Sequence, residues 1–254
     1  VFSFNNAGYF GGGMYNRFFS EPTLLDCLFN GNVAVHGGGG MFNSSLSNTT
    51  LTGCNFFQNL TSDAASIGGG MGNSNSSPIL TNCSFTYNST QYAGGGLYCS
   101  VGSQATITNC DFNGNQAEQN GGGAYFDFFS DSTFEDSTIE GNSASNDGGG
   151  IYVFDYCAIT MTNTVVESNN ANNAGGISCS DQSELALTGC TIDANNATTN
   201  TDVLARKATQ VLLSGTNVAG EVSLSDVGTA LQFTTGSVLN MSGSLNLSPL
   251  GGLG

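Results

Sequence analysis

Two sets of carboxylates stand close enough in the chain to act as an acid–base pair: Glu135 with Asp136 and Glu140, and Asp127 with Asp131. Paired carboxylates are what hydrolysis of a glycosidic bond needs, so these five residues carry the glycoside-hydrolase reading. A lyase acting on uronates would instead need a basic residue to abstract a proton or clamp the substrate. The chain has three basic residues, Arg17, Arg206 and Lys207, and none from residue 18 to 205. Arg206 and Lys207 read as turn residues, as does His36, the single histidine, which immediately precedes Gly37 to Gly40. Acids scattered on a soluble chain are mostly solvated surface. The expectation is therefore a protein without catalytic activity.

Eight cysteines (Cys27, Cys54, Cys83, Cys99, Cys110, Cys157, Cys179 and Cys190) are nowhere closer than eleven residues, which excludes a CxxC metal site. Even number and wide spacing favour disulfides in an oxidising compartment, hence a secreted or cell-surface protein. Cys99 with Cys110, Cys179 with Cys190 and Cys27 with Cys54 are the candidate pairs; Cys83 with Cys110 is the alternative. No EF-hand or calcium nonapeptide occurs, so no cofactor is expected, with calcium on the acids as the alternative.

Tyr15, Phe42, Tyr98, Tyr125 and Tyr152 recur at matching positions, where strand alternation points them outward as a candidate ligand or partner face. Sequons at Asn43, Asn48, Asn75, Asn82, Asn196, Asn240 and Asn246 are candidate glycosylation sites, whereas those at Asn59 and Asn88 are expected to be bare.

What positions all of these is a repeat. Asn5, Asn32, Asn59, Asn88, Asn115, Asn142, Asn169 and Asn195 fall at intervals of 26 to 29 residues. Three residues earlier comes Phe, Ile or Val; five earlier, mostly Cys; and a glycine triplet opens the next segment. Each unit holds several short alternating stretches divided by Gly, Asn, Ser and Asp, with no helical period. Such units bury their inward side chains only by coiling and stacking. The reading is all-β: a right-handed parallel β-helix of about nine rungs, about 27 residues per rung, about 40 Å long. Stacked amides of the Asn column would then bond one rung to the next.

A single domain is expected over residues 1–254: regular rungs over 1–198, then degenerate continuing rungs over 199–254. The register supports the latter, since Leu213 to Val218 overlays Leu187 to Ile192 and Met241-Ser242-Gly243-Ser244 repeats it again. Neither end carries an obvious cap, so end-to-end self-association, or joining to other surface-fibre subunits, is expected. A formal charge of -16 disfavours nucleic acid and anionic membrane partners, and no apolar stretch has membrane-spanning length.

Phe-x-x-Asn stands at residues 2–5, 29–32, 56–59, 85–88 and 112–115, and its Gly-Gly-x-aliphatic partner at 11–14, 38–41, 68–71 and beyond. This pairing resembles the repeats of polymorphic outer-membrane proteins, surface passengers with right-handed β-helices. The resemblance implies a rigid extracellular segment of a fibre, appendage or adhesin. The functional expectation is such a non-enzymatic structural protein, glycosylated; the alternatives are a carbohydrate-binding adhesin module and a polysaccharide-degrading β-helix enzyme.

Overall fold

The computed structural model describes residues 1–199, 202–207, 209–226 and 228–233, and the backbone strand Leu245–Leu247. The described residues form a parallel β-solenoid of about eight turns, and no helix occurs among them. Each turn contributes a strand to sheet I (from Phe2–Ser3 to Asn217–Val218) and, up to residue 199, a two- to four-residue strand to sheet II (Asn6–Ala7 to Asn196–Thr199). It then adds one to sheet III (Met14–Arg17 to Leu245–Leu247) and one to sheet IV (Thr23–Leu25 to Ala230–Phe233). Pairing is parallel and in register one rung on: Phe85 opposes Phe56 and Phe112, and Leu80 opposes Leu51 and Ile107.

Inward positions of sheets I, III and IV make one continuous apolar core. Its spine is a stack of Phe2, Phe29, Phe56, Phe85 and Phe112, with centroids 4.6 to 4.8 Å apart and planes within 4°. Those separations are the rung spacing itself. Beyond Phe112 the column turns to Ile139 and Val166, and Phe126 and Phe134 enter edge-on to fill the freed volume.

The glycine triplet serves two separate needs. Gly94 has φ +70, where a side chain is strained. Gly95 lies so close to the neighbouring backbone that a Cβ would sit 2.4 Å from Gly122 O and 2.6 Å from Gln116 O.

Past residue 198 the pairing continues, with Leu187 opposite Leu213 and Ile192 opposite Val218, the offset read from the sequence. The last rungs are nevertheless shorter than expected. Val222 follows Val218 almost at once and pairs with Val203, with no sheet II strand between them. Having lost the Asn corner and the glycine loop, this rung closes by a shorter path. Phe233, rather than Met241, therefore opposes Leu213. The repeat at residues 241–244 lies outside the described residues.

Candidate functional site

The rungs from Asn5 to Asn195 each present a corner between sheets I and II, where the residue before the Asn has φ 53 to 63. That turn aims the Asn side chain inward along the axis. Asn88 donates both its backbone N–H and its Nδ2 to Asn115 Oδ1, each at 3.0 Å. Asn115 Nδ2 in turn donates to Asn142 Oδ1 at 2.9 Å and to Phe85 O at 2.8 Å. The same pattern links Asn32, Asn59, Asn142 and Asn169 to their successors, so interior amides of the column use both acceptor sites and both donors. Asn5, the exposed first member of the column, makes the two forward bonds to Asn32 Oδ1, and Asn195 turns its Nδ2 to Asp202 Oδ1 at 2.8 Å. Burial pushes the Asp202 carboxyl above its ordinary range.

The cysteines repeat this logic at the corner between sheets IV and I, and the expected disulfides are absent. All eight thiols are free. Cys83 N–H donates to Cys110 Sγ at 3.3 Å, while Cys110 Sγ–H reaches Leu80 O at 3.6 Å. Ser137 and Thr216 do the same with hydroxyls, which is why cysteine alternates with Ser and Thr here. Cys99 and Cys179 belong instead to sheet III, where Cys99 accepts from Asn73 Nδ2 at 3.7 Å. The pairs Cys99–Cys110 and Cys179–Cys190 therefore join different walls of the coil, and Cys27 and Cys54 remain separate thiols. Hydrogen bonding with Cys110 holds Cys83 up at about 11. Unfolded in denaturant without reductant, the chain is expected to titrate eight thiols with a chromogenic disulfide reagent, and native protein to react at Cys27 alone. Fewer than eight in the unfolded chain would restore the disulfide reading.

The aromatic column does point out of the coil, yet it is not a surface. Phe42, Tyr98, Tyr125 and Tyr152 are 4 to 7% exposed; only Tyr15 is open, at 42%. The chain between sheets II and III folds back over them, bringing Ile67 and Ala93, with Phe154 alongside, to form a second small core. The covering segments are themselves tied rung to rung, Ile67 to Ala93 to Asn120 to Asp147. Arg206, expected as a turn residue, seals this layer by pairing with Asp147 at 2.9 Å.

Among the sequons, Asn43 is fully buried, donating to Asn73 Oδ1 at 2.8 Å, so it is no glycan acceptor. Asn75, Asn82 and Asn196 are exposed and Asn48 is half-buried. Asn240 and the side chain of Asn246 lie outside the described residues. Asn59 and Asn88 are buried in the ladder.

The carboxylates do not share one cleft. Glu135 and Asp136 are exposed where sheet IV turns into sheet I, Glu140 lies on sheet I, and Asp127 with Asp131 flanks the corner between sheets III and IV. Burial pushes Asp127 up to about 6. His36 sits on Asp63 at 3.1 Å, both partly exposed. A shallow depression over sheet II, bounded by Gln116, Ser143, Asn170 and Asn196, is lined by no titratable side chain.

Residues 2–127 and 94–226 each match the family of the right handed beta helix region. The chain is a right-handed β-helix protein. No curated protein and no solved structure matches it. Right-handed β-helices include polysaccharide-degrading enzymes and proteins without catalysis, so the fold alone assigns no activity. Residues not singled out from the sequence of this β-helix stand at the corner between sheets III and IV: Phe18, Phe19, Leu46, Val101, Phe128, Phe129 and Tyr156, all exposed. The signal for them was apolar residues recurring where a turn is needed.

Proposed function

We propose that this right-handed β-helix is a non-enzymatic structural segment of an extracellular surface fibre, appendage or adhesin, stacking end to end or joining related subunits. The observation that carries the reading is the uniformity of the coil up to about residue 199: the Asn corners, the Cys corners with their Ser and Thr substitutes, and the glycine column repeat from rung to rung. An enzyme concentrates irregularity at one site, whereas the candidate acids here are spread over three faces. The Gly-Gly-x-aliphatic and Phe-x-x-Asn pairing supports a surface role like that of polymorphic outer-membrane passengers. So does the absence of Lys and Arg from residue 18 to 205, which removes tryptic sites. Asn75, Asn82 and Asn196 are the open glycan acceptors, with Asn48 partly so. With free thiols, cysteine usage no longer argues for secretion. Negative-stain electron microscopy of native material is expected to show rods or fibres; dispersed monomers, with no longer assembly, would count against the reading.

A further inference from the structure

At the corner between sheets III and IV two successive residues adopt left-handed backbone in six rungs, Phe18–Phe19, Ser45–Leu46, Val101–Gly102, Phe128–Phe129, Asp155–Tyr156 and Asp181–Gln182, and Asn75 alone does so in another. Phe128 has φ 49 and Phe129 φ 57. A bulky residue there costs on the order of 1 kcal/mol relative to glycine. Turning the corner does not require one, since Gly102 and Asn75 serve elsewhere in the same column. The rings are only half covered: Phe128 is 51% and Phe129 59% exposed. Phe129 and Tyr156 stack at 5.3 Å with planes 14° apart, making an exposed pair of rings.

Carboxylates frame it. Asp127 precedes Phe128, Asp131 follows Phe129, and Asp155 lies on the next rung beside Tyr156; all three act electrostatically on the one Cys157 thiol. Asp127 is 8% exposed; its Oδ2 accepts from the Tyr98 hydroxyl at a long 3.4 Å, and its Oδ1 is buried without a side-chain partner. A buried carboxylate short of donors is costly.

The chain itself shows which group such a corner accepts. On an outer rung, the Arg17 guanidinium lies 4.2 Å from the Phe18 ring centroid. Toward the other end, Lys207 Nζ sits 3.1 Å from Asp181. Of the rungs between them, those of Phe128–Phe129 and Asp155–Tyr156 combine rings with carboxylates, and neither carries a Lys or Arg.

We infer that the Phe129–Tyr156 stack, with the exposed Phe128 ring and the Asp127 and Asp155 carboxylates adjoining it in the chain, is a docking site for arginine or lysine side chains of a basic partner protein. Ring faces take the cation by its attraction to the π quadrupole, and the carboxylates complete an ion pair. A second copy of this chain does not fit. Its charge is -16, and Arg206 and Lys207 are held by Asp147 and Asp181 while Arg17 lies over Phe18. The inference stands apart from the rod reading, because it needs only this corner.

The test is binding of a fluorescent oligo-arginine peptide to the purified chain, followed by anisotropy. Phe128→Asn with Phe129→Gly keeps residues suited to left-handed backbone, so it should fold at least as stably as wild type while binding about tenfold more weakly. Asp127→Asn should weaken binding similarly. Glu135→Gln with Asp136→Asn, which removes two charges from another corner, should change it by less than about twofold. Unchanged binding by the Phe128/Phe129 variant, or an equal loss in the Glu135/Asp136 variant, would reduce the effect to bulk charge and overturn the inference. So would wild-type binding of a neutral gluco-oligosaccharide that the Phe128/Phe129 variant loses, if the peptide does not bind.

Discussion

Asn115→Leu is expected to lower the unfolding free energy by about 4 kcal/mol, although leucine is apolar and close in volume. The substitution deletes four hydrogen bonds: two accepted from Asn88 and two donated, to Phe85 O and Asn142 Oδ1. It strands the Asn88 N–H in a water-free interior, leaves the Asn88 Nδ2 only Phe56 O, and takes the side-chain donor from Phe85 O and from Asn142 Oδ1, which keeps the residue 115 backbone N–H; an orphaned group costs about 1 to 3 kcal/mol. Hydrophobic transfer gained by the leucine offsets only part of this. Asn146→Ala is the control, because Asn146 Nδ2 bonds Gln119 at 2.6 Å on the exposed surface. Its cost should stay below about 0.5 kcal/mol. Urea unfolding of both variants decides the matter; a loss under about 1 kcal/mol for Asn115→Leu would mean that the amides are dispensable fillers.

Gly95→Ala is the second large effect, with an expected loss of about 3 kcal/mol or more. The added methyl meets Gly122 O at 2.4 Å and Gln116 O at 2.6 Å, both main-chain atoms. No rotamer relieves that contact, so adjacent rungs must part. Gly102→Ala isolates the conformational penalty: its φ is +73, with nothing within 4 Å of a new Cβ. About 1 kcal/mol is expected there. Equal thermal shifts for the two variants would show that the glycine column serves backbone conformation alone and that close rung approach does not matter.

Much of this was legible in the chain because a solenoid writes each contact as a sequence offset. Asn88 meets Asn115, and Phe85 meets Phe112, through one-rung spacing alone, so finding the period locates the inward columns and the Asn ladder. Period carries no information on what lies outside the coil. Tyr98 and Tyr125 alternate outward as expected, but the excursion between sheets II and III covers them, and that excursion has no regular pattern of its own. The cysteines misled for a related reason. Even count and wide spacing suit a disulfide framework, yet Cys110 occupies a position that Ser137 fills equally well. Asn43 shows that a sequon motif does not reveal which wall of the coil its side chain enters. At Phe128 and Phe129 residue type argued against a turn, since aromatics are rare in left-handed backbone. The corner became visible only when the dihedrals were, and it is where local preference and fold conflict.

The most direct measurement is native-state hydrogen exchange of the Asn88 and Asn142 amides in wild type and in Asn115→Leu. The wild-type Asn88 N–H, held by Asn115 Oδ1, should exchange only as slowly as the flanking core strands open. In Asn115→Leu it should exchange about a hundredfold faster or more, while the Asn142 N–H, whose acceptor on Asn169 is intact at 2.9 Å, should keep its protection relative to the same strands. A wild-type Asn88 amide exchanging as fast as an exposed loop would contradict a coil whose rungs are locked through their asparagines.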